Sequence, residues 1–145
     1  MKKSSRLSLA LHALVHLHAQ PDKVLTSQAL ASCLMTNAVV VRRALGELRE
    51  AGLVVASKGP NGGWALARPA EEITLHQVYA AMDERLLLRT ESDPGDKACA
   101  IVRSVDRVMS EFLDDAEALL AARLTRIRLA DIAKDAMGAG FPRLG

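Results

Sequence analysis

Apolar residues recur on a helical period through the first fifty positions. Leu7, Ala10, Leu11, Leu14, Val15 and Leu17 fall on one stripe and predict an amphipathic helix over 5–19, ended by Pro21 and Asp22. Thr26 is placed to cap a second helix, Ser27–Leu34, whose apolar members are Ala29, Leu30, Cys33 and Leu34. After a break at Met35 and Thr36, Asn37 caps a third helix reaching about Ala51, with Val41, Leu45 and Leu48 on its inner stripe and Gly52 as its stop.

The period then changes. Residues 53–56 are short, apolar and partly β-branched, and 64–67 read as a returning strand. Between them Lys58, Gly59, Pro60, Asn61, Gly62 and Gly63 make the strongest turn signal in the chain. Helix, helix, helix and hairpin is the order of a winged helix-turn-helix. The predicted fold is therefore mainly α with a small β-hairpin wing, followed by a long dimerisation helix.

Past the hairpin the pattern divides further. Residues 1–68 form the expected winged domain, and 69–98 a linker with a short helix over 75–82, capped by Thr74, and a mobile loop over 83–98. Residues 99–124 predict a helix of about seven turns. Val105, Phe112 and Leu119 repeat every seven residues along it, Ile101 and Val108 fill alternate seam positions, and Asp115 interrupts the seam. This is the expected dimerisation surface. Residues 125–145 predict a short helix over 129–136 that packs back, then a frayed Gly-rich tail.

Composition sharpens this picture. Half of the 145 residues are hydrophobic but only 3% are aromatic, so the core must be assembled from aliphatic side chains, which favours helices over a large sandwich. The net charge of +2 conceals an asymmetry: residues 1–68 carry nine Lys/Arg against three Asp/Glu, and 69–145 carry ten against fourteen. A basic first half suits a polyanionic partner. No apolar run is long enough to cross a bilayer and no signal-peptide pattern opens the chain, so the expectation is a cytoplasmic protein with no membrane partner.

The candidate chemistry is recognition rather than catalysis. A second helix set across the first places its leading edge in a major groove about 12 Å wide. Ser27 and Gln28, with Thr36, Asn37, Ala38, Val40, Arg42 and Arg43, are the candidate contacts from the helices. Asn suits adenine, Arg suits guanine or phosphate, and small apolar groups suit a thymine methyl. Lys58, Gly59, Asn61, Gly62 and Gly63 at the hairpin tip allow close approach to a phosphate or a minor groove. No Gly-Lys-Ser/Thr follows a strand, which excludes a Walker loop. Asp114 and Asp115 are adjacent on a helix, diverge, and make a poor acid–base pair. Nothing in the pattern predicts an enzyme. The alternative function is a winged-helix protein-interaction module that does not bind DNA.

The run Asn37-Ala-Val-Val-Val-Arg-Arg-Ala-Leu-Gly-Glu-Leu-Arg-Glu-Ala-Gly-Leu-Val54, followed by Ser57-Lys-Gly-Pro-Asn-Gly-Gly-Trp-Ala-Leu-Ala-Arg68, resembles the Rrf2 family of bacterial winged-helix transcriptional regulators. The likeness covers nearly the whole chain and is strongest over 25–68. It implies a homodimer that crosses its long helices on an operator with dyad symmetry. The expected function is a dimeric repressor answering an unknown signal, with a small molecule or a redox agent as the candidate effector.

Cluster-binding members of that family carry three cysteines where this chain has only Cys99. Four ligands, mostly thiolates, are the norm for an iron–sulfur cluster, so the expectation is no such cofactor. Cys99, at the start of the long helix, is then a possible thiol sensor. Cys33 is expected to pack on the second helix. His12 and His16, four apart, share a helix face that can bind zinc, but without a HExxH pattern they are expected to be surface or interface histidines, and no metal site is assigned.

Overall fold

The computed structural model describes residues 6–82 and 99–138. The mobile loop expected over 83–98 and the tail over 139–145 lie outside the described residues. Five α-helices and a hairpin appear in the order α1 (Arg6–Ala19), α2 (Ser27–Leu34), α3 (Ala38–Glu50), β1 (Val54–Ser57), β2 (Gly63–Leu66), α4 (Leu75–Ala81) and α5 (Ala100–Arg126) before a final helix, α6 (Leu129–Gly138). One turn of 3-10 helix, Ala70–Glu72, lies between β2 and α4. The result is mostly helical, with a two-stranded antiparallel wing.

The helix boundaries follow from local hydrogen bonding. The Thr26 hydroxyl accepts from the Ala29 amide, and the Asn37 side chain accepts from the Val40 amide, so each satisfies a donor that the first turn leaves open. Thr74 and Gln77 form a reciprocal capping box at α4. Met35 closes α2 in a left-handed conformation, φ 55°, and the chain turns there into α3. In the wing, Val54 pairs with Leu66, and Ser57 with Gly63.

Two compact units result. The first takes described residues 6–82 and 125–138; the second is the body of α5, residues 99–124. In the first unit α1 is the hub, touching α2, α3, β2, α4 and α6. Leu14, Leu30, Leu45, Leu48 and Leu53 are fully buried around it. The core does not stop at residue 68: Ala70, Ile73, Val78 and Met82 are buried in it, as are Leu129 and Ala133 of α6. Residues 69–82, read from the pattern as part of a linker, thus supply core side chains, because Ile73, Val78 and Met82 fall on the inward stripe of their segment. Backbone bonds from Leu75 N to Ile127 O and from Leu129 N to Ile73 O stitch the start of α6 to the start of α4.

The second unit is a single long helix. Ile101, Val105, Val108, Phe112 and Leu119 are all exposed along it in the isolated chain.

Candidate nucleic-acid interface

The first unit brings α2, α3 and the wing to one side. Trp64 N and O bond to Leu25 O and N, which adds Leu25, two residues before α2, to the edge of β2. The Trp64 indole Nε1 donates to Ser27 Oγ at 2.9 Å. These contacts fix the hairpin against the first turn of α2. A cleft of about 260 Å³ lies between them, lined by Ser27 and Gln28 from α2, Ala38 and Arg42 from α3, and Gly62, Gly63 and Trp64 from the wing, among others. Six of the residues expected to face DNA therefore meet around one opening.

The structure gives each expected contact residue a specific place. Gln28, Asn37, Val40, Arg42, Arg43, Lys58, Gly59 and Asn61 are exposed. Thr36 and Ala38 are half-buried, and Ala38 also packs on the core. Ser27 is buried and its hydroxyl receives the Trp64 indole, so it positions the wing and is not an open contact group. The Asn37 Oδ1 accepts from the Val40 amide at 3.0 Å, so the side chain caps α3 as well as facing solvent, and its amide nitrogen remains a donor.

The glycines at the wing have an internal reason. Gly59 has φ +96°, where a side chain is strained. A Cβ at Gly63 would sit 2.7 Å from the Leu25 carbonyl oxygen, and one at Gly62 would sit 2.3 Å from that of Ser57. The close backbone approach that the glycines allow is thus first to their own chain.

The exposed cations Arg42, Arg43 and Lys58 belong to α3 and the tip of the hairpin. On α3 the other basic residue, Arg49, lies in the last turn, while Glu47 is engaged by Arg6. Val39 and Val40 are apolar side chains exposed on the first turn of α3.

One grouping on this unit was missed. His16 is buried, not a surface residue, and its Nε2 lies 2.9 Å from Cys33 Sγ. His12 Nε2 lies 3.8 Å from the same sulfur. Cys33 is therefore more than a packing residue. The pattern could not reveal this, since Cys33 reaches α1 only through the packing of α2 on it.

A three-helix core with a hairpin buttressed on its second helix and a cationic third helix defines a winged helix-turn-helix DNA-binding protein. The Rrf2 family, described as iron-dependent transcriptional regulators, matches residues 3–135, and the chain belongs to it. It is a DNA-binding transcriptional regulator. A Bacillus subtilis protein named as an HTH-type transcriptional regulator, YwnA, is 25% identical over 129 residues, spanning 89% of this chain and 95% of the relative. The HTH-type transcriptional regulator IscR of Cereibacter sphaeroides is 53% identical over 38 residues, which span 26% of this chain and 24% of that protein. Among solved structures, T. potens IscR superimposes with a TM-score of 0.67 at 22% identity, covering 99% of this chain and 93% of the other.

The family description raises the question of an iron centre. The donor set here does not fit an iron–sulfur cluster. The chain has two cysteines, Cys33 sits against two histidines of α1, and Cys99 is exposed and joins no cluster of metal-ligating side chains among the described residues. Among the described residues no helix is long and apolar enough to cross a membrane.

Proposed function

We propose that this protein acts as a homodimeric, sequence-specific repressor that reads an operator of dyad symmetry. The observation that carries the reading is the shared opening between α3 and the wing, held by the Trp64–Ser27 bond. In this reading α3 lies in the major groove with Val39, Val40 and Arg42 toward base edges, while Asn37, Arg43 and Lys58 hold phosphates. Asn61 and the glycine backbone follow the adjacent minor groove. The seam of Ile101, Val105, Val108, Phe112 and Leu119 pairs with its copy, which sets two recognition helices on half-sites about one helical turn, ~34 Å, apart. Cys99 is the exposed one of the two thiols and so the one open to an oxidising or electrophilic effector.

The test is anisotropy with a duplex selected from a random pool, repeated over a range of salt. Lys58→Ala weakens binding to all sequences and reduces the salt slope by about 1, as loss of one phosphate contact does. Arg42→Ala costs about 1–3 kcal/mol and relaxes the preference at one position. Unchanged affinity in both variants would overturn the interface. Failure of the wild type to bind any duplex would return the protein-interaction alternative.

A further inference from the structure

Away from the cleft, three metal-ligating side chains converge on one point. His12 and His16 lie one turn apart on α1, and their rings stack with centroids 5.0 Å apart and planes 19° from parallel. Cys33, in the last turn of α2, brings its sulfur to 2.9 Å from His16 Nε2 and 3.8 Å from His12 Nε2. One ligand atom from each residue lies within 4.8 Å of the other two, the only such grouping of three His, Cys, Asp or Glu among the described residues. A hydrogen bond between the Cys33 sulfur and the His16 imidazole accounts for one histidine in the core. It leaves unexplained why a second imidazole converges on the same sulfur.

Burial pushes the His12 imidazole below its ordinary range. His16 is pushed down to about 4, chiefly by burial and further by His12. A neutral imidazole offers a nitrogen lone pair to a metal.

We propose that His12, His16 and Cys33 form a site for one divalent transition-metal ion of the zinc type. Two imidazoles and a thiolate are borderline-soft donors that favour zinc or cobalt over magnesium or calcium, which take oxygen. Tetrahedral zinc, with Zn–N of about 2.0–2.1 Å and Zn–S of about 2.3 Å, places nitrogen and sulfur ligands about 3.5 Å apart. The two N–S separations here, 2.9 and 3.8 Å, straddle that value, and with all three ligand atoms within 4.8 Å of one another, side-chain adjustment closes them on one ion. Water takes the fourth position from the side of His12, which is exposed while His16 is closed off. On binding, the Cys33 S–H bond breaks, its proton passes to solvent and a metal–sulfur bond forms, with no change of oxidation state.

The ion would cross-link α1 to the end of α2, two residues before the left-handed turn at Met35 that leads into α3. Metal therefore changes DNA affinity; this consequence rests on the DNA-binding reading, whereas the site itself does not.

Cobalt(II) added to the reduced, full-length protein without oxygen tests the site directly. One cobalt per protomer is expected, with a thiolate-to-cobalt charge-transfer band and the intense visible bands of four-coordination, both lost when zinc is added. Cys33→Ser abolishes the charge-transfer band, His12→Ala weakens binding at least about tenfold, and Cys99→Ser changes neither. His16→Ala opens the core, so the exposed His12 and the near-isosteric serine carry the test, with circular dichroism reporting that each variant is folded. A wild type without the band, a band that survives Cys33→Ser, or a band that disappears with Cys99→Ser would each overturn the assignment. The spectra are read without DNA, so they stand or fall separately from operator binding.

Discussion

The DNA-reading unit and the α5 helix handle similar side chains in opposite ways. In the first, Leu14, Leu30, Leu45 and Leu48 are all 0% exposed. Along α5, Ile101 is 75%, Phe112 64% and Leu119 67% exposed. The difference is one of geometry. α1 is surrounded by α2, α3, α4, α6 and the wing, so its apolar stripe and those of its neighbours close on one another. A single helix has no second layer of its own, and an apolar seam left in water marks a surface that another partner covers. The first unit therefore owes its core to its own chain, while the second, under the dimer reading, owes its core to a copy.

Truncations of one leucine in each region separate the two. Leu45→Ala is expected to cost about 2–5 kcal/mol of folding stability, at any protein concentration, because it empties a fully enclosed site. Leu119→Ala should leave the protomer's fold intact and instead raise the dissociation constant of the dimer. Chemical denaturation at several protein concentrations distinguishes them; equal and concentration-independent losses would break the contrast.

Charges in the seam test the dimer more severely. Val108→Glu with Phe112→Glu is expected to give folded monomers in sedimentation velocity. Operator affinity should fall about 100-fold, or about 2.7 kcal/mol, since two linked half-site contacts become independent. A wild type that sediments as a monomer at micromolar concentration would remove the basis of the comparison.

The smallest effect is expected at the junction of the wing with α2. Gly63→Ala brings a Cβ to 2.7 Å from a backbone oxygen, which no rotamer relieves, so a cost of about 1–3 kcal/mol follows. Thermal unfolding should register it, and DNA affinity should fall with the displaced hairpin. A neutral result would mean that the wing is not fixed through Leu25.

Where the chain's own local chemistry sets the structure, the sequence was legible. Thr26, Asn37 and Thr74 cap the helices they were expected to cap, since a cap is an interaction across three residues. The glycine-rich turn marked the hairpin to within a residue at each strand, and the spacing of Ile101, Val105, Val108, Phe112 and Leu119 marked a continuous helix. What could not be read depends on distant pairs. The Trp64–Ser27 bond spans 37 positions, and the His16–Cys33 contact joins two helices through their crossing.

The return of α6 to the first unit has a consequence for how the protein comes into being. Leu129 and Ala133 complete the core around α1, yet they follow α5 in the chain. During synthesis from the N-terminus the reading head therefore waits, with part of its apolar surface open, until the long helix has been made. A nascent chain interrupted before α6 would hold the whole of α2, α3 and the wing without the helix that finishes their support. Such a chain would carry the reading surface on a core still open where Leu129 and Ala133 belong.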